Sequence, residues 1–181
     1  MFKNIALRLC SNSMGNDIPG RNIDAAAQEW INTFLTERNV SGAACVVKNG
    51  TVIAEVYTGN FDTSTQFQIA SVTKQFTAMA IMQLVEKKSL KLDDTLDTFI
   101  KDFPHGKKIK VRHLLGMTSG LPRHTQDLDE TKEITMEDLV SHIKGQIGTS
   151  PLSFDPGDEF EYSNINYQLL TYIITKVSGK N

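Results

Sequence analysis

A chain of 181 residues that is 40% hydrophobic and 22% charged can bury a sizeable core, as one domain or one and a part. Its formal net charge of -2, with Lys87-Lys88 and Lys107-Lys108 set apart, excludes the basic footprint of a nucleic-acid binder. Two cysteines, Cys10 and Cys45, are too few for a disulfide scaffold, and the histidines at 105, 113, 124 and 142 lack the spacing of a zinc helix, so they read as structural or surface residues.

Residues 1–20 are polar and broken by Gly15, Pro19 and Gly20, which predicts an arm or leader outside the core. Arg8 interrupts what would have to be the apolar stretch of a secretory signal. No run approaches the roughly 18 apolar residues of a membrane span. Ile23, Ala26, Ala27, Trp30, Ile31, Phe34 and Leu35 then recur at helical spacing, with Asn22 available as a cap. Two β-rich runs, 43–47 and 51–57, flank Lys48-Asn49-Gly50, a strong hairpin signal.

After a loop at 59–64, the apolar positions Ile69, Thr73, Phe76, Thr77, Ala80, Ile81, Leu84 and Val85 predict a long helix. The chain beyond it reads as helical and loop-rich. A short helix over 111–117 is closed by Gly120 and Pro122, and one opened by Thr135-Met136-Glu137-Asp138 ends at Gly145. A last helix carries Leu169, Leu170, Ile173, Ile174 and Val177 and stops at Gly179.

Ser71 and Lys74 stand three residues apart where the long helix begins, so on a helix they share a face. A hydroxyl beside an amine is the geometry of a nucleophile with a built-in base. The competing local reading makes Ser71 a cap, but a reciprocal capping box would want Glu or Gln where Lys74 stands, and a cation in the first turn opposes the helix dipole. Tyr162 and Asn164, two apart between a turn and a helix start, would point the same way on extended backbone. Locally, a packed aromatic and an N-cap fit these two equally well.

Taken together, Ser71-Val72-Thr73-Lys74, His113-Leu114-Leu115 with Thr118-Ser119-Gly120-Leu121-Pro122, and Pro156-Gly157 leading through Phe160 into Tyr162-Ser163-Asn164 and Tyr167-Gln168-Leu169-Leu170 resemble the serine β-lactamase and penicillin-binding protein superfamily. The nearest branch holds class C β-lactamases, D-alanyl-D-alanine carboxypeptidases and related esterases. The resemblance covers about residues 21–181. It implies an α+β, β-lactamase/transpeptidase-like fold, with helices packed on an antiparallel sheet plus a mostly helical subdomain. Residues 21–60 would supply the helix and hairpin of the α/β part, and 61–181 the nucleophile helix and helical subdomain.

By the same resemblance, Ser71 would attack a carbonyl carbon to give an acyl-enzyme that water or an amine resolves. Lys74 would be the immediate proton acceptor in acylation and Tyr162 the general base in deacylation, the pair being pushed toward sharing a proton. Asn164 would bind, orienting Lys74 and the substrate amide. Substrates would be β-lactams, D-alanyl peptides or small esters. No metal or organic cofactor is implied, and family members usually work in the periplasm or outside the cell.

The family's third motif, Lys or His followed by Thr or Ser and Gly, lies on a strand beyond the tyrosine motif. This chain reaches Asn181 without it. That strand would bring the central sheet and the second oxyanion-hole donor, the first being the amide of Ser71. The expectation is therefore the N-terminal part of a longer enzyme, truncated so that the C-terminal strands are missing. The alternative is a truncated non-catalytic binding or regulatory fragment that keeps the scaffold.

Overall fold

Asn49 and Gly50 both lie at positive φ, +51° and +74°, and this pair turns the chain back between two antiparallel strands. The computed structural model describes residues 6–7, 20–125, 133–148 and 151–180. The chain divides into two units, Phe2–Ala70 and Ser71–Asn181.

In the first unit, β1 (Ala6–Leu7) pairs with β4 (Phe67–Gln68), and β2 (Gly42–Lys48) pairs with β3 (Thr51–Thr58) from Gly42 opposite Thr58 to Lys48 opposite Thr51. The rest of the expected arm, including Cys10, lies outside the described residues. Val52, Ala54 and Val56 alternate along β3 and are buried, as a strand with one covered face requires. The helix α1 (Ala25–Glu37) packs on β3.

Asn22 does not cap α1. Its N–H donates to the Val52 carbonyl, so residues 20–24 run alongside β3, and Asp24 takes the cap instead, accepting from the amides of Ala26 and Ala27 at 3.0 and 3.2 Å. The buried Glu55 carboxylate pairs with Arg21 and accepts from the Tyr57 hydroxyl. Gln28 of α1 meanwhile bonds both backbone groups of Glu55, at 2.6 and 2.8 Å.

The second unit is helical: α2 (Thr73–Glu86), α3 (Leu96–Phe99), α4 (Val111–Leu115), α5 (Met136–Gly148) and α6 (Asn164–Ser178). The helix α6 is its spine, packing against α2, α4 and α5. Its Ile165, Leu169, Leu170 and Ile173 are fully buried in a cluster with Ile81, Leu114 and Ile143. Each such side chain contributes about 1.5–3 kcal/mol relative to exposure, so the first turn of α6 is firmly anchored.

Two helix ends differ from the sequence reading. The helix α4 stops at Leu115, because the chain turns at Met117 into positive φ, +57°. The helix α5 begins as expected, with Thr135 and Asp138 bonding each other's amides, but it runs through Gly145 to Gly148. An interior glycine costs about 1 kcal/mol, less than burying Ile147 in the next turn returns. Gly179 ends α6 as expected, at φ +66°. Among the described residues no helix is long and apolar enough to cross a membrane.

Candidate active site

Ser71 does not lie in α2 itself. A 3-10 turn at Ala70–Val72 precedes the helix, and Ala70 enters it at φ +43°, an uncommon conformation for a residue with a Cβ. Ser71 stands in this turn and Lys74 in the first turn of α2, three residues on, a spacing that places the two side chains on one face. Lys74 Nζ donates to Ser71 Oγ at 3.2 Å. The cap position of α2 belongs to Val72, whose side chain bonds nothing there, and Ser71 is not spent on capping.

Tyr162 and Asn164 meet this pair from the start of α6. Ser163 between them is extended, at φ -133° and ψ 123°, which sends its two neighbours to the same side. The Tyr162 hydroxyl lies 2.8 Å from Ser71 Oγ, and Asn164 Oδ1 accepts from Lys74 Nζ at 2.8 Å. The Lys74 ammonium also sits over the rings of Tyr162 and Tyr167, 5.0 and 5.7 Å from their centroids. All four residues named from the sequence are thus brought together, with Ser71 exposed and the other three half-buried.

The Thr118-Ser119-Gly120 segment supports this arrangement without touching Ser71. Buried Ser119 donates to Asn166 Oδ1 at 2.6 Å and accepts from the Leu121 amide, so it pins this segment to α6. The Met117 and Thr118 carbonyls take the amides of Glu161 and Gly157, fixing the approach to Tyr162. His113 Nδ1 accepts from the Lys110 amide at the head of α4, and its carbonyl takes the Thr118 amide. The His113 to Pro122 stretch is thus a brace for the segment that carries Tyr162.

Electrostatics follow the geometry. The Lys74 ammonium beside the Tyr162 phenol, then the Ser71 hydroxyl, lower its pKa below the ordinary tyrosine value, and the Arg123 guanidinium adds to this. Tyr167 goes the other way, raised first by burial and then by Tyr162. Beside Lys74 and Asn164, His124, Thr125 and Gln168 complete a cavity of about 270 Å³. Gln168 Oε1 is buried there without a hydrogen-bond partner among the described residues.

The sequence assigns no site role to Arg123, His124 or Gln168: His124 reads there as a structural or surface residue, whereas it bonds Asn164 and lines the cavity, and Gln168 enters only within the stretch that carries the resemblance. Gln168 had a usable signal, standing four residues after Asn164 on one helix face, whereas Arg123 and His124 reach the site only through the fold. Among the described residues no cluster of three or more His, Cys, Asp or Glu side chains is placed to hold a metal ion.

Residues 27–181 match the sequence model of the family described as Beta-lactamase. PbpX of Bacillus subtilis (strain 168) is 34% identical over 158 residues, which is 83% of this chain and 38% of that protein. The octameric penicillin-binding protein homologue of Pyrococcus abyssi superposes with a TM-score of 0.68 at 31% identity, over 88% of this chain and 40% of its own. A D-stereospecific amidohydrolase of Streptomyces sp. gives a TM-score of 0.71 at 26% identity, over 87% of this chain and 50% of its own. The chain thus spans half or less of each of these relatives, and its mixed helical and antiparallel architecture is that of the β-lactamase/transpeptidase-like fold.

Proposed function

We propose that this chain, which belongs to the beta-lactamase family, carries the acylation half of a serine hydrolase that opens an amide, lactam or ester through a covalent intermediate on Ser71. The observation that carries the reading is the double contact of Ser71 Oγ, 2.8 Å from the Tyr162 hydroxyl and 3.2 Å from Lys74 Nζ. A serine hydroxyl attacks a carbonyl only if its proton has somewhere to go, and here two groups stand within reach.

In acylation, Ser71 Oγ bonds to the carbonyl carbon while its proton passes to the Tyr162 and Lys74 pair. Collapse of the tetrahedral adduct breaks the bond to the leaving nitrogen or oxygen, which takes that proton back. Water then attacks the ester, losing a proton to the same pair, and as the bond between the acyl carbon and Ser71 Oγ breaks the pair hands that proton to Oγ, releasing the Ser71 hydroxyl and a carboxylic acid. The protons belong to the coupled pair. Support for a large share on Tyr162 comes from its lowered pKa and from Lys74, whose ammonium already donates to Asn164 Oδ1 and Ser71 Oγ. Asn164 holds Lys74 and offers its amide to a substrate.

Among the substrate classes of this family, a D-configured amide or peptide fits the names of the structural relatives, which include a D-stereospecific amidohydrolase and a D-amino acid amidase. A fluorescent penicillin and a chromogenic D-alanyl ester, each incubated with the full-length protein and with its Ser71→Ala variant, test the reading. Covalent label or ester turnover that vanishes in the variant is expected. Label retained in Ser71→Ala, or neither label nor turnover in the native protein, overturns it.

A further inference from the structure

Three successive residues, Pro122, Arg123 and His124, are each bonded to the turn that carries Tyr162 and Asn164. The Pro122 carbonyl accepts from Ser163 Oγ at 2.6 Å, and the Arg123 carbonyl from the Asn164 amide at 2.9 Å. The third contact joins Asn164 Nδ2 to His124 Nδ1 at 3.2 Å. The Arg123 guanidinium also lies over the Tyr162 ring, 5.2 Å from its centroid. The His124 carbonyl, in turn, accepts from Gln146 Nε2 of α5 at 3.1 Å.

A side-chain amide has a donor end and an acceptor end, and Asn164 serves Lys74 only with its oxygen toward the ammonium. His124 stands at the other end. With its proton on Nε2, the neutral imidazole offers a lone pair at Nδ1 to the Asn164 NH2 and locks the amide in the useful sense. With its proton on Nδ1, donor would face donor, favouring a flip that removes the oxygen from Lys74. Arg123 Nε also donates to His124 Nε2, at 3.1 Å, a bond that uses the ring's lone pair on that side. A neutral ring has one lone pair to give, so Arg123 and Asn164 compete for it.

We propose that Arg123 and His124 are positioning residues for acylation, His124 holding the Asn164 amide so that its oxygen fixes Lys74, and Arg123 holding a cation over the Tyr162 ring. This rests on the reading of Ser71, Lys74 and Tyr162 as the reacting groups. Neither positioning residue touches Ser71, so both act through Asn164 and Tyr162. The groups facing the Tyr162 phenol are Lys74 and Ser71 from the start of α2, Arg123 from the 121–125 segment and Tyr167 from α6.

The test uses the full-length protein with four variants, His124→Ala, His124→Gln, Arg123→Gln and Arg123→Lys. Loss of one orienting hydrogen bond predicts that His124→Ala slows acylation about three- to tenfold. Non-covalent substrate binding should change little, and His124→Gln, whose amide oxygen can accept from Asn164, should recover most of the rate. Arg123→Gln should move the rising limb of the acylation pH profile to higher pH, and Arg123→Lys should move it back.

In parallel, NMR titration of tyrosines labelled at ring carbon ζ, with Tyr162 assigned by the Tyr162→Phe variant, follows the phenol whether or not the protein turns anything over. An upward shift of the Tyr162 titration in Arg123→Gln supports the proposal even if the hydrolase reading fails for want of label or turnover. An unmoved titration together with acylation by His124→Ala within twofold of native overturns it. So does a rate loss in His124→Ala that His124→Gln does not recover while the Tyr162 titration stays unmoved.

Discussion

Ser71 and Tyr162, 91 residues apart in sequence, hold their side-chain oxygens 2.8 Å apart, and neither hydroxyl is used for capping or core packing. A serine at the mouth of a helix ordinarily caps it. Here the cap is vacated, the preceding residue takes positive φ, and the hydroxyl is left to a tyrosine and a lysine.

Removing only the phenolic oxygen tests the role of that contact. On the acylation reading, Tyr162→Phe keeps the ring under the Lys74 and Arg123 cations but deletes a proton acceptor, a loss of about a hundredfold or more in the acylation rate constant. The sign of the pH dependence follows from the lowered phenol pKa: the basic form appears as pH rises through a value below that of ordinary tyrosine. Acylation should therefore climb in that region in the native protein, and the limb should be missing from Tyr162→Phe. Stopped-flow burst measurements across pH read both, and an intact limb in the variant would refute the assignment.

Gly120 tests the brace beneath the tyrosine segment. It sits at φ +73°, and an added Cβ would come within 2.3 Å of the Phe154 carbonyl oxygen. That oxygen is main chain and has no rotamer into which to retreat. Gly120→Ala should cost about 2–5 kcal/mol, the sum of a left-handed alanine and an overpacked contact. Urea unfolding should show a lower midpoint at unchanged slope. A midpoint equal to that of the native protein would mean that the 117–122 segment does not hold the tyrosine turn.

His113 gives the second unit a pH dependence of its own. Burial first, then the neighbouring Lys110 and Arg112 cations, lower its pKa below the ordinary 6.5, against an opposing pull from Asp93. The folded protein thus binds this proton more weakly than the unfolded chain. Its contribution to stability is complete above about pH 6.5 and is lost as the pH falls from there through the folded value. Geometry agrees, since Nδ1 must be unprotonated to accept from the Lys110 amide. Thermal melts at about pH 7.5 and about pH 5.5 should show a drop in Tm that is smaller in His113→Gln, whose amide oxygen can accept without titrating. An equal drop in both proteins would assign the acid sensitivity elsewhere.

Much of the local structure was legible in the sequence, because local rules govern it. Asn49-Gly50 announces its turn, Thr135 and Asp138 their capping box, Gly179 its helix stop, and the apolar repeat from Leu169 to Val177 its helix. Where those readings slipped, a longer-range contact had outbid a local preference. Asp24 and not Asn22 caps α1 because the amides of both residues bond β3 carbonyls, holding 22–24 extended so that the helix starts only at Ala25, and α5 runs past Gly145 because Ile147 is buried.

The sequence by itself determined the residue types and spacings: a serine and a lysine three apart, a tyrosine and an asparagine two apart, and the Thr118-Ser119-Gly120 run between them. Only the tertiary structure decided that these meet, since hydrogen bonds spanning 90 residues depend on how α2 and α6 pack. It alone decided that Arg123 and His124 face Tyr162 and Asn164. Neither residue lies on a regular element whose period could have foretold its direction. An irregular segment takes its orientation from what it is tied to, and here the ties are the Ser163 hydroxyl and the Asn164 amide.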